Sequence, residues 1–197
     1  MTLVLTDQVL SADCYKVRLA LGFLGLAHEI VPADAASAVP FEGDEPPILN
    51  DGPHTVAGAL PILRHLAASA PVWSPEPAGQ GAAFALSAAL ADSCGIARKI
   101  VNFGVSGDLA AARSGARTVL RGIDETLWFG ARTGNPWLLP GPQPTFAEIA
   151  CFPDIALAGE GGIDLGETPA IRLWCERVRR LPGFSVMPGV FPAGPGH

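Results

Sequence analysis

Ser11-Ala12-Asp13-Cys14 is the first place in this chain where residue types and spacing suggest chemistry. Ser11 precedes a helical stretch and can cap it, and the free N–H groups and positive dipole end of a helix N-terminus favour an anion beside it. A hydroxyl held there can donate a hydrogen bond to a thiolate, raising the ionised fraction of a thiol at neutral pH. Cys14 falls about one turn inside the same helix, where burial against a sheet is expected. Were it the working thiol, the chemistry would be thiol–disulfide exchange. Pro46-Pro47-Ile48-Leu49 is the second such place, an X-Pro step leading into a strand. The four cysteines (Cys14, Cys94, Cys151, Cys175) form no C-x-x-C pair. The four histidines (His28, His54, His65, His197) show no ligand spacing, so no metal is expected.

The elements that must position these residues are legible in outline. Leu3–Thr6 reads as a strand, and Ser11–Leu24 as a helix with Val17, Leu21 and Leu24 at helical spacing. His28–Pro32 is a second short strand, and 33–45 reads as a short connection with room for one helical turn at most. Pro47–Leu49, the Asn50-Asp51-Gly52 turn and Thr55-Val56 form a hairpin. A helix follows from Gly58 to Ser69, with Leu60, Leu63 and Leu66 on one side. The Pro-rich stretch 70–79 is a break. Helices are expected near 79–103, 107–131, 145–157 and 168–180, and the Pro- and Gly-rich tail after Phe184 promises no regular structure. Thr145 and Glu148 make a capping box. On the last helix, Leu173 and Trp174 read as core against a solvated face that includes Arg177, with an unidentified acid as the alternative partner of Arg177. Tyr15 reads as helix packing, and Lys16 and Arg18 as solvated.

Composition sets the outer bounds. The chain has 197 residues, a formal charge of −6, 49% hydrophobic and 16% charged residues. That is enough apolar chain for a sizeable core and too little net charge for global disorder. A pI near 5.1 argues against binding a phosphate backbone, so no nucleic-acid partner is expected. No stretch reaches about 18 apolar residues, so no membrane helix is expected. Met1–Asp7 lacks the basic start of an export signal, which makes the cytoplasm the expected compartment.

Four passages resemble glutathione S-transferases, bacterial ones in particular. Ser11 to Leu21 is similar to the family's first loop and helix. Pro47-Ile48-Leu49 with Asp51-Gly52 is similar to its cis-proline strand and hairpin. Trp137-Leu138 with Pro144 to Ala150, and Thr168 to Trp174 with Arg177 and Leu181 to Phe184, resemble two helices of its C-terminal domain. The resemblance runs over about 1–188. It implies a thioredoxin-like N-terminal domain (1–69), a linker (70–78), an all-α C-terminal domain (79–197), and a homodimer. It also implies glutathione as co-substrate and addition of its thiol to a small electrophile.

Carried over residue by residue, the resemblance puts Ser11 beside the glutathione thiol as the catalytic group. It aligns Pro46 and Pro47 with the cysteinyl unit. Gly58 and Ala59 then stand where the family has an acid–serine pair for the γ-glutamyl group, and Arg98, Asn102 and Phe103 fall on the electrophile side. The chain departs from the pattern at two of these places. Pro46 has no N–H to donate, and Gly58-Ala59 offers neither carboxylate nor hydroxyl. The half of the site that handles the thiol is intact and the half that grips the peptide is stripped. A fold retained for binding or scaffolding without catalysis, or an enzyme for a different small ligand, fits the same departures.

Overall fold

The computed structural model describes residues 2–33, 46–70, 73 and 77–190. Of the short connection expected over 33–45, all but the first residue lies outside the described residues, as does most of the linker. The first part is a four-stranded sheet in the order β2-β1-β3-β4, built from β1 (Leu3–Asp7), β2 (His28–Pro32), β3 (Ile48–Asn50) and β4 (Thr55–Ala57). β1 and β2 run parallel, with Leu5 opposite Ile30, so a helix must cross between them. That helix is α1 (Ala12–Phe23). β3 is antiparallel to both β1 and β4, and α2 (Ala59–Ser69) follows.

The second part is helical: α3 (Pro77–Leu90), α4 (Ile96–Phe103), α5 (Leu109–Arg132), α6 (Phe146–Ala156) and α7 (Pro169–Arg179). The helix expected over 79–103 is interrupted. Ala91–Gly95 forms a π turn that separates α3 from α4. The tail after Phe184 is also less irregular than its composition suggests, since Met187 and Val190 pair as an antiparallel bridge.

One apolar cluster runs through both parts. Leu5, Tyr15, Leu19 and Leu21 from the first meet Phe146, Ile149, Phe152 and Trp174 from the second. α6 lies at its centre and is buried from Phe146 through Ile155. Its start is fixed by the expected capping box. The Thr145 hydroxyl accepts the Ala147 N–H at 3.2 Å, and Glu148 accepts the Thr145 N–H at 2.7 Å. Glu148 is fully buried and also accepts the Leu138 N–H at 2.7 Å, which ties the preceding loop to the helix. Gly22 and Gly183 allow another close approach: a Cβ on either would collide with the other's carbonyl oxygen. Beside this crossing Phe23 stacks on Trp73, with ring centroids 5.3 Å apart.

Several side chains differ from their expected surroundings. Lys16 and Arg18 are not solvated. The Lys16 ammonium is buried between Asp154 of α6 and Asp13, 2.9 Å from each. Arg18 donates to both Asp7 carboxylate oxygens at 2.6 Å and to the Val9 carbonyl at 3.0 Å. Leu173 is 66% exposed, while Trp174 is core as expected. Arg177 has no acid as its hydrogen-bond partner; it donates to the Pro136 carbonyl at 2.7 Å and lies over the Trp137 ring.

Candidate functional site

β1 ends at Asp7, and the chain turns through Gln8–Leu10 into α1, which sets Ser11 at the helix N-cap. The Ser11 hydroxyl oxygen accepts the Cys14 N–H at 3.2 Å. That bond uses an oxygen lone pair, and the single hydroxyl proton faces the Cys14 sulfur, so it would have to turn outward to donate to a ligand anion. Capping the helix does not prevent that turn, because the cap uses only the oxygen.

Ser11 opens on a cavity of about 490 Å³. One wall is the loop and helix start at Gln8, Leu10, Ser11 and Asp13; another is Pro46. The opposite wall comes from the helical part, with Gly95 from the π turn and Ile96, Arg98, Lys99 and Phe103 from α4. Asp154 of α6 also reaches it. The Pro46–Pro47 bond is cis, as the sequence suggested.

The structure thus brings Ser11, Pro46, Arg98 and Phe103 to one cavity, and it leaves the other expected site residues out of its lining. Asn102 instead donates to Glu160 at 2.8 Å. Arg98 is held by the same carboxylate at 2.6 Å and is only 5% exposed, so its charge is already neutralised. The Pro47 carbonyl accepts the Gly58 N–H at 2.8 Å, which docks the start of α2 on the cis-proline loop. Gly58 is the N-cap of α2 at φ +86°, a left-handed conformation that suits glycine, and it provides no side-chain cap. Ala59 is buried beside it.

Sequence reasoning missed Asp13, Ile96, Lys99 and Asp154 as cavity residues. A signal for part of this was present. Ile96, Lys99 and Phe103 recur at helical spacing and line the cavity, while Arg98, at its edge, and Asn102, four residues on, both grip Glu160. For Asp154 there was no local signal, because its partner Lys16 belongs to another helix.

The ionisable groups near the cavity divide by burial. Cys14 is fully buried and accepts the Gln8 N–H at 3.3 Å. Burial pushes its thiol above the ordinary range, outweighing the hydrogen bonds from Gln8 and Ser11 that favour the thiolate. Cys14 is therefore held protonated, as its expected inert role requires. Burial alone would discharge Lys16, but Asp154 and Asp13 outweigh it and hold the ammonium above the usual lysine range.

Spacing along the chain gave no sign that two of the histidines meet in the fold. Folding brings Asp51, His54 and His65 into one cluster, their ligand atoms within 4.8 Å of one another.

No sequence family model matches the chain, and no curated protein matches it. Solved structures do. A glutathione S-transferase from Xanthobacter autotrophicus superposes with a TM-score of 0.78 at 22% identity, over 95% of this chain and 98% of that one. A possible glutathione S-transferase from Rhodopseudomonas palustris gives 0.79 at 22% identity, over 98% and 100%. A glutathione S-transferase from Methylobacterium radiotolerans, in complex with glutathione sulfonate, gives 0.68 at 19% identity, over 95% and 98%. The fold of this chain is that of the glutathione S-transferases: a thioredoxin-like sheet and its helices followed by an all-helical region.

Proposed function

We propose that this protein is a transferase of the glutathione S-transferase type, adding the thiol of glutathione to a small electrophile. The observation that carries this reading is Ser11: a hydroxyl at the N-cap of α1, lining a cavity bounded on the far side by α4. The Ser11 hydroxyl and the α1 N-terminus would stabilise the thiolate. Its proton leaves to solvent, and the sulfur forms a bond to an electrophilic carbon, with release of a leaving group or addition across a double bond. Ile96, Lys99 and Phe103 would face that electrophile. The solved relative that carries glutathione sulfonate supports glutathione as the thiol.

The residues present fit the thiol end of glutathione better than its peptide. Pro46 offers a carbonyl but no N–H, a loss of one hydrogen bond or about 0.5–1.5 kcal/mol. Gly58 and Ala59 contribute no side-chain polar group, so backbone N–H groups at the α2 start would have to hold the γ-glutamyl carboxylate. The same two residues favour a second reading, an enzyme for a different small thiol or ligand, or a fold kept only for binding. A cytoplasmic homodimer, with domains at 1–69 and 79–197 joined by a linker at 70–78, accompanies the proposal.

Conjugation of glutathione to a chromogenic electrophile tests it, paired with calorimetric titration of glutathione at millimolar concentration. Ser11→Ala should lower turnover by about 10²–10³, the loss of one preorganised donor to a negative charge, while leaving glutathione binding nearly unchanged. Absence of both binding and conjugation in the wild type would move the weight to the second reading. Activity surviving Ser11→Ala but abolished by Cys14→Ala would replace the mechanism with a cysteine-based one.

A further inference from the structure

We propose that Asp51, His54 and His65 form a divalent transition-metal site on the β3–β4 hairpin. None of the three lines the Ser11 cavity, and the proposal stands independently of the glutathione reading. The donor set is one carboxylate and two imidazoles, a combination that suits zinc and its neighbours rather than calcium or magnesium, which prefer oxygen alone.

Local structure positions the three with little freedom at the hairpin. The Asn50 side chain accepts the Gly52 N–H at 2.8 Å and donates to the Thr55 hydroxyl at 2.9 Å. The Asp51 N–H donates to the His54 carbonyl at 3.1 Å, and the His54 N–H returns to Asp51 Oδ1 at 2.9 Å. The tip is therefore cross-braced, with Gly52 at φ +102° making its sharp turn. His65 approaches from α2 and places Nε2 2.7 Å from Asp51 Oδ2. The ring of His54 stands 5.5 Å from that of His65, its Nδ1 3.3 Å from Asp51 Oδ1.

These separations suit a tetrahedral ion. Metal–ligand bonds of about 2.0–2.1 Å put neighbouring donors roughly 3.3–3.5 Å apart. Each imidazole already lies near or inside that distance from the carboxylate, and the cluster spans no more than 4.8 Å. His54 is the exposed member, with its side chain 63% accessible, so a small rotation can close the remaining edge and leave a coordination position to water. The hydrogen now shared between His65 Nε2 and Asp51 would vacate that nitrogen as the ion takes its place, moving to Nδ1 of a neutral ring or to solvent from a protonated one.

The charge environment agrees. The neighbouring cation on α2, Arg64, is turned away over the Phe84 ring, with its guanidinium carbon 4.5 Å from the centroid.

Cobalt(II) titration of metal-free protein at pH 7.5 tests the site, because a cobalt ion in this donor set gives visible d–d absorption. The expected result is one Co²⁺ per chain, displaced by Zn²⁺. Affinity should fall by at least about tenfold in His54→Ala and in His65→Ala, the loss that removing even an outer partner of a metal ligand brings. His54→Ala changes an exposed side chain, and circular dichroism confirms that it is folded. His28→Ala should bind as the wild type does. No saturable Co²⁺ or Zn²⁺ binding up to 1 mM overturns the proposal. Binding that survives both His54→Ala and His65→Ala overturns it equally, since the ion would then sit elsewhere.

Discussion

Removing the Lys16 ammonium from between α1 and α6 should cost this protein more stability than its single charge suggests. Lys16 and Asp154 have side chains 2% and 3% exposed and lie 2.9 Å apart, whereas Asp13, the other acid beside the ammonium, is 46% exposed. Lys16→Met keeps most of the aliphatic stem and takes away the charge. Asp13 can turn to water, but Asp154 is left as a buried carboxylate with its principal cation gone. Breaking a buried pair in this way typically costs about 3–5 kcal/mol. For a chain of this length each kcal/mol moves the melting temperature by about 2–4 °C, so a fall of roughly 6–20 °C is expected. The lone carboxylate can escape by taking up a proton. Burial already pushes the Asp154 carboxyl above its ordinary range, so the penalty should shrink as the pH is lowered from 7.5 toward 5. Replacing both members, Lys16→Met with Asp154→Leu, should recover most of the loss, because the cost lies in the unmatched charge. Urea unfolding followed by far-UV circular dichroism gives each value. A Lys16→Met loss below about 1 kcal/mol would refute the reasoning, and so would a double variant as unstable as the sum of its two single variants.

Three further outcomes are expected. Glu148→Gln puts an amide NH₂ where a carboxylate now accepts the Leu138 and Thr145 N–H groups, and should cost about 1.5–3 kcal/mol in urea unfolding. Stability should decline as pH rises past about 8.5, where unfolded thiols ionise while the buried Cys94 and Cys175 thiols, raised to about 12, keep their protons. A urea midpoint flat from pH 7.5 to 10 would contradict this. Ala59→Ser should restore a hydroxyl at the α2 start and raise glutathione affinity about tenfold or more in calorimetry. It is a cleaner test than placing a side chain at Gly58, whose φ of +86° would strain it.

The parts of the fold written in local pattern were legible in the sequence. The short strands, the Asn50-Asp51-Gly52 turn, the Ser11 cap and the Thr145–Glu148 box are each set by residues within a few positions, and each appears where expected. The electrophile-side residues were legible only in part, because Arg98 and Asn102 have the polarity of cavity residues but spend it on Glu160. What failed was decided by partners distant in the chain. Lys16 looks solvated until Asp154 is known to face it, and Arg18 until Asp7 is. The Asp51, His54 and His65 cluster depends on the hairpin folding back beside α2, a closure that ligand-spacing patterns do not encode.

The π turn at Ala91–Gly95 has a consequence for chain length. Each residue of an α-helix advances the next by about 100° around the axis, so the extra residue held in a π turn re-aims everything after it. Ile96, Lys99 and Phe103 meet the cavity, and Arg98 meets Glu160, in the phase set by that insertion. A relative lacking one residue here could keep every helix and still turn a different stripe toward the cavity. A single-residue gap is thus a means of relining the cavity that requires no substitution in its wall. An alignment that slides the gap elsewhere would pair Lys99 with a residue on the wrong face.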